Sequence, residues 1–502
     1  MALTSAVCNA TPIVKPPVAD ASPEHAARGQ SEARLAVVMR LWAIATLFHT
    51  LGYSGRAAAF LEEPNWTGVS HLGLAAAAVW LLRAPCHMVA LGSVGAGGLL
   101  TAWLESPAVG SHWVLAALIN ATMLSAMAFA HRGHQIDRNR LDELVPTVCV
   151  TVLVVFYACA AFAKLNSAFL DPAVSCATRF ADQVVQSLLP GRNRLSTMPA
   201  IITVTPIAVT TIEVIIPILL LIPGSRLVGA AVGILFHSTI GLNRIHLFSD
   251  FSAVLIPLFV LCLPGGFFGA ANRWLLTSRG RRLVDAWIVA VLIVLLCQVL
   301  AGWRLPRIVF VEGRLWLWYW YDASVVLGLF WYLRRLSVTR EGAASMRLAW
   351  AFVPRSLVGI PLATVAIGVL PYLELRTAGS FTMYANLRIV DGMSNHLLIR
   401  HGLPLGRRHA ARVRILWSDD TGLAGYRTSG YDLPWDSLRA YMARHPYATV
   451  RFESNGVVSE VSGAQLARPD GLPLIILNKL FPLRAVDRHT PARCQESYLP
   501  AG

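Results

Sequence analysis

Four stretches of this chain place an ionisable or strongly polar side chain inside an apolar run, where it could move a proton or hold a polar ligand. Lys164 lies in Phe162-Ala163-Lys164-Leu165-Asn166, and Glu213 follows Thr210 and Thr211 and precedes Pro217. His237 closes Ile234-Leu235-Phe236-His237, and Asn120 stands mid-way through the apolar stretch 109–130. A charge at a bilayer centre costs about 2.5–3.5 kcal/mol on insertion scales, so each needs a partner, a cavity or a purpose. A lysine desolvated in an apolar pocket is pushed toward its neutral form, and a neutral amine is a general base. Against that stands snorkelling, in which the stem of Lys164 lies along apolar surface and its ammonium reaches the headgroups. A carboxylate has no such reach, so Glu213 is either paired within the bundle or part of a site. His237 alone reads as a hydrogen-bonded core residue and gains meaning from Arg244, His246 and Asp250, which follow it. His237 and Arg244 are seven apart and share a helical face if one helix runs through both. Lys164 and His237 are therefore the candidate catalytic residues, and Glu213, Asn166 and Arg244 the candidate cavity-lining residues for a cofactor.

Other chemistries find less support. His131 and His134 bracket Arg132-Gly133, but two histidines without further ligands do not make a zinc site, and no metal is expected. His49 and His237 could serve as axial haem ligands, yet no Cys-x-x-Cys-His attachment motif occurs, and no haem is expected. Neither a phosphate-binding Walker loop nor a Gly-x-Ser-x-Gly elbow is present.

The elements that must position these residues follow from composition. Of 502 residues, 55% are hydrophobic and only 14% charged, against roughly 25% charged in a soluble domain. Water-facing surface for several globules cannot be built from that, nor is disorder compatible with it. The chain reads as a polytopic α-helical membrane protein. Stretches of about 20 apolar residues cross a bilayer, and spans are expected near 35–54, 69–82, 86–104, 109–130, 145–167, 200–222, 226–243, 249–264, 284–302, 317–334 and 356–372, about eleven in all. Lys164 then falls near the outer end of its span. Gly229-x-x-x-Gly233 is expected at a close helix crossing.

The formal charge of +15 sits in short loops between apolar runs, which is the pattern of positive-inside topology and contact with anionic lipid rather than of nucleic-acid binding. Arginines at 132, 138 and 140, at 273, 279, 281 and 282, and at 335, 340, 347 and 355 all fall on the cytoplasmic side if the N-terminus is inside, and the C-terminus is then outside. Residues 1–33, with Pro12, Pro16, Pro17 and Pro23, read as a disordered leader, and 34–373 as the transmembrane domain. Cys8 follows a faint lipobox-like Ser-Ala-Val but lacks the flanks that processing requires.

From 374 to 502 the apolar runs stop, and a small β-rich or α+β exoplasmic domain is expected. Asp391-Gly392 and Asn455-Gly456 stand between β-favouring runs, a strong hairpin signal. Arg412–Trp417 reads as a further strand and Trp435–Arg444 as a short helix. Among eight cysteines, Cys149, Cys159, Cys262 and Cys297 lie in or beside spans as packing residues. Cys176 and Cys494 both fall on the outer side, where disulfides persist; a bond between them would tether the C-terminal domain to the loop at 171–199.

These residues carry a resemblance. Tyr157 to Phe169, reading YACAAFAKLNSAF, resembles the lysine-bearing segment of the vitamin K-dependent gamma-carboxylase and its bacterial relatives, the horizontally transferred transmembrane (HTTM) domain proteins. Glu213 to Pro217 with Pro223 and Arg226, then Phe236-His237 and Phe248-Ser249, follow in that family's order and spacing. Met383-Tyr384-Ala385-Asn386-Leu387-Arg388 and Ser394-Asn395-His396-Leu397 are similar to its segment after the last span. Asn166 replaces the family's usual acidic residue. The resemblance implies a multi-pass protein of the bacterial inner membrane that oxidises a reduced, naphthoquinone-type quinone with oxygen. It also implies a lysine, here Lys164, that deprotonates the hydroquinone, a glutamate-bearing protein or peptide substrate on the outer face, and contact with membrane lipid. A non-enzymatic role on the same fold, as a transport, maturation or export factor, is the alternative; there the polar residues would only hold the bundle together.

Overall fold

The computed structural model describes residues 23–53, 65–132, 135–189, 198–301, 307–339, 348, 350–405, 411–466 and 472–495. Cys8, the proline-rich stretch 1–22, His134, Arg340 and Arg347 lie outside them.

Helices dominate. In chain order they are α1 (Pro23–Gly52), α2 (Trp66–Arg83), α3 (Met88–Glu105), α4 (Ser111–Ala130), α5 (Arg138–Ala163), α6 (Ser167–Leu170), α7 (Cys176–Leu188), α8 (Pro199–Leu221), α9 (Arg226–Gly241), α10 (Ser249–Val260), α11 (Gly265–Leu275), α12 (Ser278–Ala301), α13 (Arg307–Thr339) and α14 (Arg355–Val369). Every stretch expected to span coincides with one of them. Among the described residues, seven helices are by length and composition long and apolar enough to cross a membrane, or up to eight if the bent pair α10 and α11 counts as one span. That pair turns through 118° at Pro264, so the stretch near 249–264 is the first arm of a broken element rather than a straight crossing.

Two expectations are corrected here. Helix α1 begins at Pro23, so residues 23–33 are its first turns and not part of a leader; they are rich in strong helix formers, and proline is favoured at a helix start. The expected loop at 171–199 contains α7, whose N-cap Ser175 accepts from Ala177 N. Its apolar residues recur at helical spacing among polar ones, so no apolar run announces it.

The chain divides into two compact units. The first comprises 1–104, 116–154 and 216–361 and includes the short antiparallel pair β1 (His131–Arg132) and β2 (Gln135–Ile136). Its centre is α1, which packs on α2, α10 and α11 and buries Met39, Trp42, Leu47 and Phe48. Asn120 is satisfied there, because Trp42 Nε1 donates to its Oδ1 at 2.9 Å. Close crossings rely on glycine: a Cβ at Gly233 would lie 2.3 Å from the Phe259 ring, and one at Gly241 2.4 Å from Trp318. The Gly229-x-x-x-Gly233 expectation thus holds.

The second unit comprises 105–115, 155–215 and 362–502. It contains a β-hairpin, β3 (Ile389–Val390) with β4 (Met393–Ser394), turned by Asp391 and Gly392 at φ 52° and 75°, as the Asp-Gly signal predicts. Its sheet is five-stranded and antiparallel: β8 (Val457–Ser462), β7 (Thr449–Ser454), β5 (Arg412–Ser418), β6 (Tyr431–Pro434) and β9 (Val486–Asp487), in that spatial order. A second hairpin turn, at Asn455-Gly456, joins β7 to β8. Helices α15 (Thr421–Ser429) and α16 (Trp435–Arg444) pack on the sheet, where alternate strand residues Val413, Ile415, Val450 and Phe452 meet Leu423, Leu438 and Met442. Farther on, α17 (Gly463–Leu466) and α18 (Leu472–Leu480) precede β9. Cys176 and Cys494 are disulfide-bonded, which ties the end of the chain to α7.

Candidate functional site

Within the second unit, Lys164 follows the last residue of α5, where the negative end of the helix dipole favours a cation. It does not snorkel. Its side chain is buried, and Nζ lies 2.6 Å from Oε2 of Glu213, itself buried in the body of α8. The Phe169 ring stands 5.7 Å from Nζ. Pro217, four residues after Glu213, has no N–H to give the Glu213 carbonyl, so the sequence loosens the α8 ladder where the carboxylate sits. Tyr157, two turns before Lys164 and buried, lies within electrostatic reach of Glu213. Sequence reasoning left Tyr157 out, although its seven-residue spacing from Lys164 is the signal of a shared face.

Asn166 has a different role from the one expected. Its side-chain amide donates to Ala163 O at 2.8 Å and Ala385 O at 2.6 Å, while its Oδ1 accepts from Phe169 N at 2.8 Å and Asn395 Nδ2 at 3.3 Å. An amide side chain has two donors and two acceptor positions. All four are used, so none is left for a cofactor.

The two motifs separated by over two hundred residues are brought together by these bonds. Ser167 N donates to Asn395 O at 3.0 Å and Leu397 N to Leu165 O at 2.9 Å. His396 Nε2 lies 2.8 Å from Phe162 O, and Asn395 Nδ2 also donates to Asn386 O at 2.9 Å. Asn386 in turn accepts from Cys176 N at 2.9 Å and donates to Val174 O at 2.9 Å and Ala492 O at 3.1 Å. The segment 383–397 is a clasp around the Lys164 turn. Glu374, fully buried, supports its hairpin by accepting from Asp391 N and Gly392 N.

A cleft in the same unit is lined by Cys176, Asn386, Arg388, Arg484, Asp487 and Arg493 among others, and by neither Lys164 nor Glu213. Its arginines donate to backbone carbonyls: Arg388 to Asp487 O and His489 O, Arg484 to Leu387 O, and Arg493 to Ser429 O. They serve as struts.

The remaining candidates belong to the first unit. His237 is buried in α9 against the rings of Phe236, Phe251 and Phe259, and Ser252 Oγ donates to its carbonyl at 3.0 Å. Helix α9 stops at Gly241, so Arg244 is not on a helical face with His237. Asn243 Oδ1 there accepts from Ile245 N and His246 N, turning the chain out of the helix. Arg244 is exposed and paired with Glu312. Asp250 contacts His49, Oδ2 to Nδ1 at 3.2 Å, and His49 stacks on His71. Arg314 donates to Ser249 Oγ and Leu247 O beside them. The residues expected to share one cavity are thus distributed over the two units.

Compared with known proteins, the chain matches no family model, no curated protein and no solved structure. The buried Lys164–Glu213 pair, with Tyr157 and Phe169, remains the strongest chemical feature of the second unit. It combines a proton acceptor with a proton carrier and aromatic surface.

Proposed function

We propose that this chain is a multi-pass membrane enzyme with quinol-linked, gamma-carboxylase-like chemistry, in which Lys164 is the base and Glu213 its proton partner. The observation that supports it is the buried Lys164–Glu213 pair at 2.6 Å. An ammonium has three donors and a carboxylate about four acceptor positions, so this pair, unlike Asn166, retains capacity for a ligand. The apolar ring of Phe169 and the phenol of Tyr157 suit a flat, lipid-soluble quinone. When bound, a reduced quinone would supply the electrons that reduce oxygen. Nζ of Lys164 would first pass a proton to Oε2 of Glu213, and the neutral amine so formed would take a hydroxyl proton from the quinol, leaving ammonium, protonated Glu213 and the quinol anion, while the clasp at 383–397 holds the Lys164 turn in place. The motif resemblance to the HTTM and gamma-carboxylase proteins supplies the reaction class. The same reading places about eleven spans in a bacterial inner membrane, N-terminus inside and C-terminus outside, with a protein or peptide substrate met on the outer face.

A second reading, a non-enzymatic membrane factor, is favoured by one observation: a Lys–Glu pair can also serve only to neutralise two buried charges. The decisive experiment incubates purified protein with a reduced naphthoquinone and oxygen and looks for quinone epoxide by mass spectrometry. The comparison is the double variant Lys164→Met with Glu213→Leu, which removes the chemistry without leaving a buried charge. Epoxide from the native chain and none from the folded double variant is the expected result. No epoxide from folded native protein across several quinones overturns the enzymatic reading.

A further inference from the structure

The region after residue 374 has the composition of a water-facing domain, yet two of its short segments expose large apolar side chains. In the first, 393–405, Met393 is 65% exposed, Leu398 70%, Leu403 63% and Leu405 64%, with Leu397 beside them. In the second, α18, Ile475, Ile476, Leu477 and Leu480 are exposed. Scattered surface apolar residues need no explanation, but runs of this kind mark an interaction site.

What covers them is indicated by where they are tied. Leu397 N donates to Leu165 O, just past the end of α5. Leu403 N donates to Tyr372 O and Leu405 N to Leu373 O, at the end of the α14 span. Helix α18 is held in the same way. Ser106, immediately after α3, exchanges hydrogen bonds with Lys479, its Oγ donating to Lys479 O at 2.6 Å and its carbonyl accepting from Lys479 Nζ at 2.8 Å. Arg376, just after the last span, donates to Leu480 O at 2.7 Å. Helices α3, α5 and α14 are all candidate spans, and both segments are fastened to their C-terminal ends. The flanking sequence is polar on one side of each segment: Gly406-Arg407-Arg408-His409 follows the first, and Ala467-Arg468-Pro469-Asp470 precedes the second. Exposed Arg400 and His401 lie within the first segment, the mixture of apolar and cationic side chains that seats a peptide at the headgroup boundary.

We infer that segments 393–405 and 472–480 insert into the phospholipid leaflet at the C-terminal ends of α3, α5 and α14, so that this part of the chain rides in the membrane rather than above it. The occupant of the apolar surface is lipid: acyl chains against the leucines and isoleucines, phosphates against Arg400. This holds whichever reading of the function is correct, since it depends on neither Lys164 nor a quinone.

The test places the photo-crosslinking residue p-benzoylphenylalanine singly at Leu398, Leu405 or Ile476 of the full chain, reconstituted in nanodiscs of phosphatidylethanolamine and phosphatidylglycerol. Tyr447, 95% exposed on the sheet region, is the water-facing control. All four sites are on the surface, so the variants should fold, and a native-like elution and melting profile checks that. The expected result is phospholipid adducts by mass spectrometry from 398, 405 and 476, and their loss at 447. Absence of lipid adducts at the three positions, or equal labelling at 447, overturns the inference. Cross-linked dimers in place of lipid adducts also overturn it and assign the surface to a second copy of the chain.

Discussion

The ammonium of Lys164 and the carboxylate of Glu213 stand 2.6 Å apart, one just beyond the end of α5 and the other within α8, and both are buried. Removing one member leaves the other as an uncompensated buried charge, which costs about 3–5 kcal/mol, whereas replacing both with apolar residues of similar volume is often neutral or stabilising. Lys164→Ala and Glu213→Ala are therefore each expected to lower the melting temperature of the detergent-solubilised protein strongly. The double variant Lys164→Met with Glu213→Leu is expected to melt near the native value. Singles that melt like the native chain would show that the pair contributes nothing.

Asn166 joins two motifs through four hydrogen bonds. Asn166→Ala leaves buried donors and acceptors without partners, each costing about 1–3 kcal/mol. The expected signature is local: faster amide exchange across 383–397 and 164–170, with the sheet domain unchanged. If exchange in 383–397 is unaltered, the clasp does not depend on this residue.

The Cys176–Cys494 bond closes a loop of sequence separation 318, long enough for a stabilisation of about 5 kcal/mol as an upper figure in the chain-entropy account. Denatured, unreduced protein should take up two fewer maleimide groups than reduced protein, and Cys494→Ser should release the end of the chain to proteolysis before any span is cut. Equal uptake with and without reductant would exclude the bond.

Two groups outside the spans predict acid behaviour of different kinds. Burial holds the His246 imidazole down at about 4, against 6.5 ordinarily. The unfolded chain therefore binds a proton that the folded chain refuses between those values, and stability falls as pH drops from about 6.5 to 4. His246→Phe should flatten that part of the profile. Burial works against the charge of Asp487, but hydrogen bonds from the backbone and side chains of Arg493 and His489 outweigh it and hold its carboxyl below the usual range. Its contribution is present above the ordinary carboxylate value and is lost as pH falls through the lowered one. Asp487→Asn should remove this more acidic loss and leave the His246 limb intact; a profile unchanged by both substitutions would contradict the assignments.

Much of the architecture was legible in the chain, because the signals are local. A run of about 20 apolar residues has one stable solution in a bilayer, and helices lie where those runs lie. Asp391-Gly392 and Asn455-Gly456 adopt left-handed turns that few other residues tolerate, so both hairpins could be read directly. The limits of α9 and α7 were harder. A helix stop at Gly241 and a cap at Ser175 rest on single polar residues, which weigh little beside the hydrophobic pattern.

The site divides in the same way. That Lys164 and Glu213 would need a purpose followed from their types and surroundings alone. That they pair with each other, that Asn166 is consumed in structure, and that 383–397 closes around the lysine turn were decided only by the tertiary fold. Hydrogen bonds and ion pairs between segments far apart in sequence carry no periodicity to announce them. A buried polar atom accepts whichever partner packing brings within reach, and that partner exists only once the helices have been placed.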